Sequence, residues 1–167
     1  MSTLPLHIRL DDLSDPRIAQ FLEEHLQDMR ATSPPESVHA LDLSKLRHSS
    51  VYFWSAWLLA EQGAPTGTLD GTLVGTGAIK RLDAQHAELK SMRTAAAFRG
   101  KGIAKQVLLH ILEQARALGL QRLSLETGTQ AFFAPAQQLY LAHGFEPCGP
   151  FDSYTLDPHS RFLTMAL

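Results

Sequence analysis

A turn of glycines and basic residues, Arg99-Gly100-Lys101-Gly102-Ile103-Ala104, leads directly into the most strongly patterned segment of the chain, about Gly102 to Leu118. Along that segment Ile103, Val107, Leu108, Ile111, Leu112, Ala115 and Leu118 share one stripe, as a helix lying on a core requires, and Gly119 is a suitable cap at its end. Residues Ala87 to Thr94 before the turn and Arg122 to Glu126 after the helix read as strands. A strand that returns through a helix runs parallel to its predecessor, so this region fixes one parallel pair. The first amides of the helix have no carbonyl one turn back to bond and point toward whatever precedes them. Gly100 and Gly102 let the main chain come close to a ligand, and Arg99 and Lys101 add positive charge. An anion of pyrophosphate size suits such a turn.

The remaining elements are predicted from pattern and punctuation. Leu4, Leu6, Ile8 and Leu10 alternate as a first strand within Met1 to Asp12. Asp15 and Pro16 start a helix carrying Ile18, Phe21, Leu22, His25, Leu26 and Met29 at helical spacing, and Pro34-Pro35 prevents its continuation. A short helix is expected through Leu41 to Leu46, and Val51 to Leu59 reads as a buried strand. The run Glu61 to Asp70 is a turn, and its hairpin partner spans about Thr72 to Leu82, where Gly75 and Gly77 signal a bulge or a close approach. These strands and Ala87 to Thr94 form an antiparallel meander. A last helix covers about Pro135 to His143, and strands near Glu146 to Asp152 and Phe162 to Leu167 complete the sheet.

Composition narrows the function classes. With 167 residues and 44% hydrophobic content the chain is expected to form a single domain, residues 1–167, without disulfides or metals. A formal charge of −2 gives no general attraction for nucleic acid or anionic lipid, so a small partner is favoured. Cys148 is the single cysteine, and no uninterrupted apolar block marks a leader or a membrane span. A cytoplasmic protein is the simplest expectation. The eight histidines form no zinc-spaced cluster, so no metal is expected. Gly75-Thr76-Gly77-Ala78-Ile79-Lys80 lacks the ending of a nucleotide loop, and Ser91 and Ser124 lack the glycines of a nucleophile elbow.

The motif positions Arg99, Gly102 and Ala104, with the extra Gly100, resemble the Gln/Arg-x-x-Gly-x-Gly/Ala motif of GNAT acetyltransferases. Leu139-Tyr140 and Gly144-Phe145 are similar to that family's Leu-Tyr-x-x-x-Gly-Phe signature. The runs Ser33 to Leu41 and Glu88 to Thr94 resemble a bacterial subfamily. The resemblance implies an α+β fold: a mixed, mostly antiparallel sheet with a splayed parallel pair, flanked by helices. It also implies an N-acetyltransferase that moves the acetyl group of acetyl-CoA to a primary amine of a small molecule or peptide by direct attack in a ternary complex. A non-catalytic acyl-CoA sensor or interaction module would share the fold, and a dimeric scaffold would bind no CoA. A homodimer is common in the family.

Carried over residue by residue, the resemblance places CoA against Met92, Arg93, Thr94, Arg99, Gly100, Lys101, Gly102, Ile103, Ala104, Ala136 and Tyr140. It gives the Tyr140 phenol the role of donor to the departing sulfur, against the alternative of a core tyrosine. Glu88 matches the family's catalytic glutamate and Glu126 is its rival, whereas Glu88 could equally be a structural carboxylate paired with Lys90, Arg93 or Arg122. Pro35, Glu36, His39, Phe53 and Trp54 are the expected acceptor residues, although aromatic residues in a strand commonly belong to a core. Two departures stand out: Ala96 replaces a frequent proline, and Thr127-Gly128-Thr129-Gln130 lacks the asparagine many members carry there.

Overall fold

The computed structural model describes residues 5–59 and 71–167, so the expected turn over Glu61 to Asp70 and the first four residues lie outside the described residues. The chain runs β1 (Leu6–Leu10), α1 (Pro16–Thr32), α2 (Leu43–Leu46), β2 (Val51–Leu59), β3 (Gly71–Arg81), β4 (His86–Thr94), α3 (Ile103–Ala117), β5 (Arg122–Gly128), α4 (Ala134–Ala142), β6 (Glu146–Cys148) and β7 (Ser160–Ala166). Among the described residues, seven strands form one sheet in the order β1-β2-β3-β4-β5-β7-β6. Among these described strands only β4 and β5 pair in parallel; the other pairings are antiparallel.

Both faces of the sheet are covered, which explains the near-continuous burial of β2. One core joins Trp54, Ala56, Val74, Ile79, Leu123 and Leu125 to the α3 stripe of Ile103, Val107, Leu108, Ile111, Leu112 and Ala115. The other joins Phe53, Trp57 and Ala78 to Ile18, Leu22 and Leu46 of α1 and α2. Each large apolar side chain withdrawn from water contributes about 1.5–3 kcal/mol, so the α3 stripe is sufficient to hold that helix on the sheet. Gly75 and Gly77 are where α3 comes closest: a Cβ at Gly75 would lie 3.0 Å from Ile103 Cγ2, and one at Gly77 would lie 2.5 Å from Ile111 Cδ1.

α1 begins as expected, with the Asp15 carboxylate accepting from the Arg17 amide at 2.9 Å. It ends at Ser33, whose extended backbone leads into Pro34-Pro35. The strand expected to reach Asp152 stops at Cys148, because Gly149-Pro150 supplies neither a side chain to pack nor a second ladder donor. Residues 149–159 instead form a loop that returns the chain to β7, which inserts between β5 and β6.

The sheet opens where β4 and β5 part. Their ladder runs from His86 opposite Arg122 to Leu89 opposite Leu125 and stops, although both strands continue. Beyond that point β4 follows β3, and β5 follows β7. A bulge drives the divergence: Lys90 pairs with Ala78 but Arg93 pairs with Thr76, so Ser91 and Met92 together oppose Gly77. Ser91 takes a left-handed φ of 56°, and the Thr76 hydroxyl donates to its carbonyl at 2.8 Å, pinning the distortion.

Candidate functional site

A cavity of about 630 Å³ occupies the opening between β4 and β5. This is within the range of small-ligand sites, and it lies at the carboxyl ends of the parallel strands, where such folds bind ligands. The turn before α3 forms one end through Arg99, Gly100, Gly102, Ile103, Ala104 and Lys105. Met92, Arg93 and Thr94 of β4 line the middle, opposite Ala136, Leu139 and Tyr140 of α4. The far end is lined by Ser37, Val38, His39 and Ala40 together with Glu88, Lys90 and Glu126.

The turn is built for close approach to a ligand. Gly100 and Gly102 have φ of 75° and 78°, in the left-handed region, yet a Cβ at either would meet nothing within 4 Å. Backbone shape, not crowding, therefore calls for glycine there. Gly102 is the N-cap of α3, and the first helical bond is donated by the Gln106 amide to the Gly102 carbonyl at 3.1 Å. The amides before it are left to face outward. The Arg99 guanidinium lies 5.7 Å from the Phe132 ring centre and 3.8 Å from the Asp28 carboxylate. Open space before two left-handed glycines, with Arg99 and Lys105 beside it, suits a diphosphate.

α1 is tied to this region through Arg93, which donates to Asp28 at 2.6 Å and lies 5.3 Å from the Phe21 ring. His25, also on the cavity, is pushed down to about 4 by burial first and then by the nearby Arg93 charge, so it is neutral at physiological pH. Tyr140 is buried with its ring edge-on to Phe145 at 5.6 Å, and burial raises its phenol well above the ordinary tyrosine value. The phenol stays protonated.

The two carboxylates have contrasting surroundings. Glu88 is 3% exposed and its Oε2 accepts from both Lys90 Nζ at 3.1 Å and the Tyr154 hydroxyl at 2.5 Å. Glu126 forms no ion pair among the described residues, and burial raises it to about 7, a rise Lys90 opposes and Glu88 assists. Glu88 is thus engaged in a closed ion pair, whereas Glu126 changes charge near neutrality.

The structure brings together on the cavity Glu88, Glu126, Tyr140, Met92, Arg93, Thr94, Arg99, Gly100, Gly102, Ile103, Ala104, Ala136 and His39. It leaves apart Lys101, which is exposed, and Pro35 and Glu36, which are exposed on a 3-10 turn spanning Pro35–Ser37. Phe53 and Trp54 are 2% and 3% exposed and belong to the two cores, because β2 is an interior strand covered on both faces. Sequence reasoning missed Tyr154, on the 149–159 loop, which meets no motif and reaches Glu88 only through the fold. It also missed the clasp in which the Ser37 hydroxyl donates to Asp157 across the same end. Where the expected asparagine is absent, Gln137 donates to the Gly128 carbonyl, and Arg161 donates in turn to Gln137 at 2.8 Å.

Comparison with known proteins agrees with this geometry. The model of the "Acetyltransferase (GNAT) family" matches residues 18–145. The chain belongs to the GNAT acetyltransferase family. It is 51% identical over 160 residues to an uncharacterized N-acetyltransferase, YedL, of Escherichia coli K12, covering 96% of this chain and 94% of that one. It is 49% identical over 162 residues to another, YsnE of Bacillus subtilis 168, covering 97% and 100%. A GNAT family acetyltransferase from Elizabethkingia anophelis, solved with acetyl-CoA bound, shares the fold at a TM-score of 0.63 and 17% identity, covering 97% and 98%. This GNAT protein is accordingly an acyltransferase of α+β fold. No helix among the described residues is long and apolar enough to cross a membrane, and no group of three or more His, Cys, Asp or Glu among them is placed to hold a metal ion.

Proposed function

We propose that this GNAT protein transfers the acetyl group of acetyl-CoA to a primary amine of a small molecule or peptide, with both substrates bound together and Glu126 as the general base. The observation that carries this reading is the position of Glu126: on the cavity, one residue past the end of the parallel ladder, with an affinity for protons suited to neutral pH. CoA would be held by the turn from Arg99 to Ala104 and by Met92 to Thr94, with Ala136 and Tyr140 on the opposite side. When bound, its thioester supplies an activated acyl group.

The amide of the bulge at Met92, freed from regular pairing, would polarise the acyl carbonyl. Glu126 would accept the proton the amine loses as its nitrogen bonds to the acyl carbon. Tyr140, kept protonated by burial, would donate to the sulfur as the carbon–sulfur bond breaks. Glu88 is not the base in this reading, since Lys90 and Tyr154 already occupy it. His39, Val38 and Ala40 would form the acceptor wall.

Thiol release from acetyl-CoA, measured across amino acids, small amines, polyamines and peptides, tests the activity. Glu126→Gln should lower kcat/KM for a responsive amine by about 10²–10⁴-fold and abolish the rate limb near pH 7. Tyr140→Phe should lower kcat with little change in the KM for acetyl-CoA. A Glu126→Gln enzyme with the wild-type pH profile would remove the base assignment. CoA binding without thiol release for any amine would favour the sensor.

A further inference from the structure

Lys90 and Glu126 are the first positions past the last β4–β5 pair, Leu89 opposite Leu125. One step back, Glu88 is in register with Ser124, and side chains two apart on a strand share a face. Glu88, Lys90 and Glu126 therefore project into the same end of the cavity, which all three line. Opposite charges so placed ordinarily pair across strands. Lys90 instead donates to Glu88 Oε2 and to the Tyr154 hydroxyl, each at 3.1 Å, while Tyr154 donates to that same Oε2. The Tyr154 ring is held by Phe151, Phe162 and His39, at centroid distances of 5.1, 5.5 and 4.9 Å. Phe162 is the register partner of Glu126, so Tyr154 contacts the strand beside the base as well as the ion pair.

We propose that Glu88, Lys90 and Tyr154 form a positioning unit that holds the lysine ammonium away from Glu126 and so sets when that carboxylate accepts the acceptor's proton. The inference rests on Glu126 as base. An ammonium free to pair with Glu126 would hold it ionised but block the amine; a cavity without the ammonium would leave Glu126 beside a Glu88 carboxylate held by Tyr154 alone. The charged groups that bear on Glu126 are Lys90 and Glu88 from β4 and Asp157 from the 149–159 loop, with the titratable phenol of Tyr154 from that loop as well.

The test is the pH dependence of kcat/KM for acetyl transfer in the full chain. Lys90→Met removes the cation, so the limb near pH 7 should move alkaline by about 0.5–1 pH unit, a loss of about three- to tenfold on that limb at fixed pH. Lys90→Arg should bring the limb back toward wild type. Glu88→Gln frees the ammonium toward Glu126, so the limb should move acid while kcat falls. Tyr154→Phe keeps the ring stack, removes only the hydroxyl, and should shift the limb in the same direction as Glu88→Gln by a smaller amount. If the limb vanishes in Glu126→Gln yet stays fixed in Lys90→Met and Tyr154→Phe, or if Lys90→Met and Glu88→Gln move it the same way, this inference alone is overturned. If the limb persists in Glu126→Gln, the base assignment falls and takes this inference with it.

Discussion

Glu126 and His25 line the same cavity and act on stability in opposite directions. Glu126, raised from 4.5 to about 7 by burial, keeps in the folded state a proton that the unfolded chain has already lost between those values. Stability from this group is therefore full below pH 4.5 and is lost as pH rises through 7. His25, lowered from 6.5 to about 4, refuses a proton that the unfolded chain takes up, so its contribution is lost as pH falls through that window. Glu126→Gln should thus be more stable than the parent at pH 8, on the order of 2–3 kcal/mol, with the gain gone near pH 4. Urea unfolding at the two pH values measures it. In the same variant the acid-side loss from His25 should become visible, no longer offset. The sequence shows both carboxylates at strand positions, but the choice between them turns on Lys90 and Tyr154. The first is two residues from Glu88; the second is 66 residues away and is brought in by packing.

At the scale of elements, two pairs of glycines do different work, and substitution separates them. A Cβ at Gly77 would press on Ile111 and on Met92 Sδ, so Gly77→Ala should cost about 1–3 kcal/mol through overpacking, and Gly77→Asn more. Gly102 has free space but a left-handed backbone, so Gly102→Ala should cost about 1–2 kcal/mol and raise the KM for acetyl-CoA, while Gly102→Asn recovers part of the loss. Denaturant unfolding together with the KM distinguishes the two mechanisms. Sequence pattern reads β2 over the full observed span Val51–Leu59 and α3 to within a residue at each end, because buried aromatic runs and a seven-residue stripe are local signals. It does not reveal that Phe53 and Trp54 face opposite cores, since a strand covered on both sides lacks the alternation that separates inside from outside. Gly77 signals the irregularity on its own strand, but not that the extra residue sits across the ladder at Ser91 and Met92.

For the whole molecule, the parallel pair was legible from the strand–helix–strand order, but the insertion of β7 between β5 and β6 was not, because periodicity carries no neighbour information. The cavity arises from that global arrangement, with walls drawn from α1, β4, β5, α4 and the turn before α3. A ligand that bridges these elements should stabilise all of them together. Acetyl-CoA at a hundred times its Kd should raise Tm by about 5–10 °C, and Arg99→Gln should remove much of that shift while changing the Tm without ligand little, since the Arg99–Asp28 pair is exposed. Differential scanning fluorimetry reads both.

The clasp between Ser37 and Asp157 joins segments 120 residues apart, and Ser37 lines the cavity that Glu88, Lys90 and Glu126 also line. On the function proposed above, acceptor recognition is therefore shared by two distant stretches of chain, and replacing either Ser37 or Asp157 alone would break the clasp.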